Sequence, residues 1–111
     1  MGRISIVAKR LKEARLLAGL SQKKLGIKAR IDEFSAGVRV NQYEKGAHMP
    51  NLLTLTHLAR AMKVPVPYFY CEDTELAQLI GDFSTLDKVQ RKRLLDFMSE
   101  LIEAQTTGTT R

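Results

Sequence analysis

The chain has 111 residues, of which 44% are hydrophobic and 27% are charged, a composition typical of one small globular domain. No apolar run approaches the roughly 18 residues of a membrane-spanning helix. The apolar patch near the N-terminus is too short for a signal peptide, and the single Cys71 fits a reducing compartment. We therefore expect a cytoplasmic protein that makes no membrane contact.

Basic and acidic side chains are unevenly distributed over a chain whose net charge is +6. Residues 1–70 hold 13 Lys and Arg but 4 Asp and Glu, a net charge of +9, whereas residues 71–111 hold 5 and 8, a net charge of −3. The first segment therefore has the charge of a domain that binds a polyanion, and the second has another task. Ordinary charge scatter is the alternative, because charge alone does not establish nucleic-acid binding.

Apolar residues recur at helical spacing along the first 70 residues, and capping residues bound the predicted helices. Ser21 and Asn51 are the predicted N-caps of the second and fourth helices. Gly19 and Gly46 are predicted to end the first and third helices, since glycine adopts the left-handed conformation at low cost. The predicted spans are 5–18, 22–29, 36–45 and 52–62, followed by a short helical turn over 67–70.

Two more helices are predicted in the last third of the chain, over 74–80 and 86–104, with a break at Gly81. Ser84 or Thr85 is the predicted cap of the second. The last helix has a broad apolar face, so it must pack on a second copy, as we expect, or on the rest of the chain. Leu94, Phe97 and Leu101 are assigned to the homodimer contact, and residues 105–111 to a disordered tail.

The third helix has two chemically different faces at about 100° per residue. Ala36, Val40 and Tyr43 share the face that can pack inward, whereas polar residues dominate the other. Amide side chains can pair with adenine, and an apolar side chain can touch the methyl group of thymine, so this second face suits a DNA major groove. Solvated residues on a surface helix are the simpler alternative for any one side chain. The outward face holds Val38, Asn41, Gln42 and Lys45, with Arg39 between the faces, within reach of guanine or a phosphate, and Gly37 where it permits close approach to a duplex.

Five segments of the stretch Lys9–Tyr70 together resemble the xenobiotic-response-element (XRE) type of helix-turn-helix domain, the class of the lambdoid phage repressors and Cro proteins. The resemblance implies an all-α fold with a five-helix lambda-repressor-like DNA-binding domain over 1–71. The two helices predicted after it make up a C-terminal helical extension over 72–104. The resemblance further implies that the second and third helices form the helix-turn-helix unit. The segments are L-K-E-A-R at 11–15, G-L-S-Q-K-K-L at 19–25, V-N-Q-Y-E-K-G at 40–46, P-N-L-L-T-L-T-H-L-A-R-A-M at 50–62 and V-P-V-P-Y-F-Y at 64–70.

The resemblance also assigns roles to individual residues. It implies an ion pair between Arg15 and Glu44, and a phosphate or base contact for Gln22. It places Gly37, Val38, Arg39 and Gln42 at base-reading positions, to which the helix face adds Asn41. Exposed cations near these elements are expected to bind phosphates, which positions the protein without specifying a sequence. The candidates are Lys23, Lys24, Lys28, Lys45 and His48.

The turn before the third helix departs from the family pattern. Leu25 and Val40 are 15 residues apart, against about 11 in the family, so about four extra residues lie near I-D-E-F. Either the turn is longer, with Ser35 as N-cap, or the third helix starts early, at Asp32. The carboxylates of Asp32 and Glu33 would suit a helix N-terminus but would repel a phosphate.

Catalytic chemistry has little support in the sequence. His48 and His57 are the only histidines, and neither lies at a recognisable spacing from a nucleophile. No glycine-rich phosphate loop, metal-ligand cluster or carboxylate pair is evident, so we expect no enzyme activity, cofactor, metal or small-molecule ligand. The sequence therefore predicts a sequence-specific transcriptional regulator that binds double-stranded DNA as a dimeric repressor. The alternative is an antitoxin-like or adaptor protein that keeps the fold without reading bases.

Overall fold

Helices account for all the regular structure in residues 5–108, the part of the chain that the computed structural model describes. The expected all-α class is confirmed, since this part contains no β-strand. None of its helices is long and apolar enough to cross a membrane. The elements are α1 (Ile6–Leu17), α2 (Gln22–Lys28), α3 (Ala36–Glu44), α4 (Leu52–Met62), a 3₁₀ helix (Val66–Tyr70), α5 (Thr74–Phe83) and α6 (Lys88–Gly108).

Side-chain caps begin α1, α2 and α4, and a residue with left-handed φ follows each of α1 to α4. The Ser21 hydroxyl accepts the N–H of Lys24 at 3.0 Å, and Asn51 Oδ1 accepts the N–H of Thr54 at 2.8 Å. Gly19 and Gly46, with φ of 69° and 76°, follow α1 and α3, as predicted. Lys63 ends α4 at φ 59° without a glycine. These local signals explain why four helices form where the sequence places them.

The last two helices have different bounds from those predicted. Gly81 does not break α5, which continues to Phe83 and faces Tyr68 at the glycine, where an added Cβ would lie 3.8 Å from the Tyr68 ring. Neither Ser84 nor Thr85 caps α6. The cap is a reciprocal pair in which Asp87 Oδ1 accepts the N–H of Gln90 at 2.8 Å and Gln90 Oε1 accepts the N–H of Asp87 at 2.9 Å.

Residues 105–108, the first four of the predicted disordered tail, lie in α6. Helix α6 continues to Gly108, because no helix breaker precedes that glycine and the Thr106 hydroxyl donates to the Ile102 carbonyl at 3.0 Å. Residues 109–111 lie outside the described residues.

The hydrophobic core lies between α1, α2, α3, α4 and the 3₁₀ helix. Close approach of α2 to α3 depends on Gly26, which is buried against Ala36. A Cβ added at Gly26 would lie 2.6 Å from the Ala36 Cβ and 2.8 Å from its carbonyl oxygen. The absence of a side chain at this position therefore sets how closely α3 packs. The fully buried core side chains include Leu11, Leu25, Val40, Leu55, Leu58 and Phe69.

Arg10 attaches α1 to the segment that leads into α5. Its side chain is almost fully buried, and it donates to the Cys71 carbonyl at 2.8 Å and to the Glu72 carbonyl at 3.0 Å. It also pairs with Glu13 at 2.7 Å and lies over the Tyr68 ring. Burial raises the pKa of the Tyr68 phenol, Glu13 raises it further, and Arg10 opposes the shift. Sequence patterning did not identify Arg10, because a charged residue on a basic helix is normally solvated.

Helix α6 projects from the rest of the molecule. The radius of gyration is 17.3 Å, against about 13 Å for a compact chain of this length. Arg91 fixes the start of α6 by donating to the carbonyls of Phe83 and Ser84, and its guanidinium lies 4.7 Å from the Phe83 ring centroid. Farther along, Phe97 and Leu101 are 56% and 55% exposed. The helix therefore packs on its own chain only near its beginning.

Candidate nucleic-acid interface

Helix α3 presents one outward strip of three side chains, which we call the α3 strip: Val38, Gln42 and Lys45. The opposite side of α3 is buried in the core through Ala36 and Val40. Val38 is 60% exposed, Lys45 is exposed, and the half-buried Gln42 makes no side-chain hydrogen bond with any residue of 5–108. The α3 strip therefore carries a methyl surface, a free amide and a cation on one face.

A polar network holds α3 against α1 and α2. Arg15 and Glu44 lie together as the family resemblance implies, with Nε 2.6 Å from Oε2 and Nη2 3.1 Å from Oε1. Gln22 Nε2 donates to Glu44 Oε1 at 3.1 Å and to Asn41 Oδ1 at 3.2 Å. Arg15 also donates to the Leu20 carbonyl at 3.0 Å. Because the Arg–carboxylate pair is bidentate and shielded from water, it fixes the orientation of α3.

Two predicted contact residues are used within this network. Asn41 lies on the flank of α3 that faces the beginning of α2. Its side-chain oxygen Oδ1 therefore accepts a hydrogen bond from Gln22 Nε2 and does not face outward. Gln22 is half-buried, and its amide nitrogen donates to two side chains of α3. Both residues line an open groove of about 510 Å³ between α1 and α3, beside the α3 strip and not on it.

Gly37 and Arg39 also differ in detail from the sequence-based expectation. Gly37 faces α2, where an added Cβ would lie 3.5 Å from the Lys23 Cβ, so the glycine does not open the outward side. The Arg39 side chain lies along α3. It donates a hydrogen bond to the Tyr43 hydroxyl at 2.7 Å, and its guanidinium lies 5.8 Å from the Tyr43 ring centroid. The guanidinium of the exposed Arg39 is thus held against the side chain of Tyr43 on the same helix.

The cations expected to bind phosphates lie on and around α2 and α3, the two helices of the helix-turn-helix unit. Lys23 and Lys24 lie in the first turn of α2, Lys28 ends it, and Lys45 follows α3. His48 lies in the loop before α4, and its backbone N–H donates to the Gln42 carbonyl at 3.4 Å. All five are exposed, and none forms an ion pair with another described residue.

The extra residues form a turn ahead of α3. Because α3 begins at Ala36, the turn is longer than in the family, and the helix does not start early at Asp32. Asp32 Oδ2 accepts the N–H of Phe34 at 3.1 Å, and the Asp32 carbonyl accepts the N–H of Ser35 at 3.0 Å. Phe34 is 92% exposed. The spacing and the carboxylates of this stretch are evident in the sequence, but its exposed aromatic residue was not predicted as part of the site; an apolar residue between the polar Glu33 and Ser35 was the available signal. Ser35 is the N-cap residue, although its side chain makes no capping bond.

Within residues 5–108, no group of three or more His, Cys, Asp or Glu side chains is placed to hold a metal ion. Burial and hydrogen bonding at the α3 surface instead leave amide, aliphatic, aromatic and cationic groups exposed on and around one helix. These groups can bind a polyanion and form directional contacts with base edges.

Comparisons with known proteins show a strong similarity to a transcriptional regulator of known structure. No family model matches the chain, and no curated protein matches it either. A solved structure, that of the transcriptional regulator BswR, is 47% identical in sequence and superposes with a TM-score of 0.81. The match covers 88% of this chain and 97% of the BswR chain. The chain therefore belongs to the family of the transcriptional regulator BswR, and the expectation that it is not an enzyme is confirmed by that membership.

Proposed function

We propose that the protein is a sequence-specific DNA-binding transcriptional regulator of the XRE type, which inserts α3 into the major groove. The observation that carries the proposal is the α3 strip, which faces solvent on a helix fixed by the Arg15–Glu44 pair. Exposed lysines surround the strip, and no described carboxylate neutralises them. Membership of the BswR family supports the proposal, because BswR is a transcriptional regulator.

The base-reading roles rank by how free each side chain is of contacts within its own chain. Gln42 is the principal reader, since its free amide can form two hydrogen bonds to an adenine edge, and Val38 is placed to contact a thymine methyl group. Arg39 reaches guanine or a phosphate once it leaves Tyr43. Asn41 and Gly37 flank these contacts. Gln22 acts mainly by holding Asn41 and Glu44, while Lys23, Lys24, Lys28, Lys45 and His48 bind phosphates.

Binding-site selection from random duplexes, followed by affinity measurement on the selected site, tests this proposal. The wild type is expected to enrich one sequence, and Gln42→Ala is expected to relax one position and weaken binding by about 1–3 kcal/mol. Gln78→Ala, an equally polar change on the exposed side of α5, is the control and should change neither. Equal retention of all duplexes by the wild type would contradict the proposal and favour an adaptor role.

We also propose that the regulator is a homodimer joined through α6. Unfavourable exposure of Phe97, Leu101 and Ile102, each more than half exposed, supports this arrangement. Leu94 lies in an apolar groove of about 330 Å³ that α6 forms with α5 and the 3₁₀ helix, and a second copy can complete it. Helix-turn-helix dimers read two half-sites about one DNA turn apart, and a dimer over a promoter represses by occlusion, without a further contact surface. The groove is lined by Pro65, Pro67, Leu79, Ile80, Phe83, Leu94, Leu95 and Met98.

A further inference from the structure

Phe34 is the most exposed of the large hydrophobic side chains in residues 5–108, at 92%. Single exposed hydrophobic residues are common, but this one is not isolated. Val38, four residues later, is 60% exposed, so two exposed apolar side chains lie near the beginning of α3. An aromatic ring kept in water adds little to the core, so the Phe34 ring is available to contact a partner.

The backbone around Phe34 is fixed. The N–H of Phe34 is bound by Asp32 Oδ2, Ser35 is bound by the Asp32 carbonyl, and Ile31 is buried in the core. Contact between Gly26 and Ala36 places α3 against α2 independently of the turn. The extra residues therefore extend beyond the N-terminal end of α3 and do not displace the helix.

Phe34 lies in the turn immediately before the N-terminal end of α3, which begins at Ala36. Its exposed ring is therefore at the same end of α3 as the exposed Val38 of the α3 strip. In a helix-turn-helix protein, that end of the recognition helix is the part that contacts base edges.

We infer that Phe34 is a specificity-determining residue whose ring contacts the C5-methyl group of a thymine in the major groove. The inference rests on the proposed function. A phosphate contact is disfavoured because Asp32 and Glu33 are exposed carboxylates beside the ring and would repel it. A phenyl ring forms no strong hydrogen bond, and the thymine methyl group is the apolar feature of the major groove.

The test combines binding-site selection with removal of one thymine methyl group from the selected DNA site. Phe34→Ala is expected to lose a thymine preference at one position of each half-site and to keep the preference set by Gln42. Replacing that thymine by deoxyuridine removes only its methyl group. This change is expected to weaken wild-type binding about fourfold, the factor for burial of one methyl group, and to leave Phe34→Ala binding unchanged.

Two further variants are controls. Phe34→Leu keeps an apolar side chain and is expected to keep most of the thymine preference. Leu17→Ala removes a side chain that is 85% exposed at the end of α1, and it should alter nothing in the profile. Thermal unfolding monitored by circular dichroism shows whether each variant folds, which is expected because neither position is buried.

The outcomes separate this inference from the proposed function. If the wild type selects no sequence, the proposed function fails. If the wild type selects a site, and Phe34→Ala selects the same site with the same response to deoxyuridine, only the Phe34 assignment fails. A Phe34→Ala variant that changes sedimentation but not base preference would identify a protein contact and overturn the assignment.

Discussion

Arg10 shows how one side chain can connect two parts of this molecule. Its guanidinium binds two backbone carbonyls, of Cys71 and Glu72, more than 60 residues away in sequence, and a carboxylate on its own helix. A smaller side chain could not place hydrogen-bond donors at all three of these acceptors at once. The stability of the link between α1 and α5 therefore depends on this residue.

Arg10→Ala is expected to lower the free energy of unfolding by about 2–4 kcal/mol, because it removes charge-assisted bonds from a buried site and leaves two carbonyls unpaired. Urea denaturation followed by circular dichroism measures the change. Lys12→Ala on the exposed side of the same helix is the matched control, with an expected change within about 0.5 kcal/mol. Similar values for the two variants would show that the Arg10 contacts contribute little.

Lys24 provides a prediction about DNA backbone contact. Lys24→Ala is expected to make the negative slope of log binding constant against log salt concentration shallower by about 0.9, because one fewer counterion is released. The selected sequence is expected to stay the same. Lys92→Ala removes a cation of α6 that is paired with Asp96, and it should leave the slope unchanged. A changed sequence preference with an unchanged slope would mean that Lys24 reads a base.

At the scale of elements, the packing of α2 on α3 gives a matched pair of glycine substitutions. Gly26→Ala places a Cβ within 2.9 Å of three Ala36 atoms, two of them backbone, so we expect a loss of about 1–3 kcal/mol in unfolding free energy. Gly37→Ala meets only Lys23 at 3.5 Å and is expected to gain up to about 1 kcal/mol from helix propensity. Thermal unfolding of both variants checks the difference in sign. Two stabilised variants would mean that α2 and α3 separate easily.

Bounds of α1 to α4 were predictable because each is marked by a local cap or a glycine at its end. The end of α5 was not, because Gly81 stays helical where it packs against Tyr68, a contact distant in sequence. At the site, the outward positions of Val38 and Lys45 follow from helical periodicity alone. The bond between Gln22 and Asn41 does not, because it depends on how two helices are placed in space.

At the scale of the whole molecule, the projecting α6 predicts the state of association. Phe97→Asp with Leu101→Asp is expected to convert a dimer into a monomer in sedimentation velocity at micromolar concentration, because it places charges on the apolar face. Ser99→Asp adds one negative charge to an exposed residue of the same helix outside the apolar set and should leave the dimer intact. A monomeric wild type would remove the basis for α6 as the joining element.

The same double variant is expected to bind a palindromic operator more weakly and a single half-site with unchanged affinity, since only the coupling between the two copies is lost. Deleting residues 72–111 is a poorer test of this point. That deletion also removes the Glu72 carbonyl and Ala77, which Arg10 and the core require.

The network of Arg15, Glu44 and Gln22 has a consequence for the kinetics of recognition. Because α3 is already oriented, docking on a duplex as proposed would cost little conformational entropy and would need no slow ordering step before contact. We then expect encounter frequency to govern how quickly complexes form, with attraction between the lysines and the phosphates setting that frequency. Added electrolyte should accordingly slow association without introducing a lag.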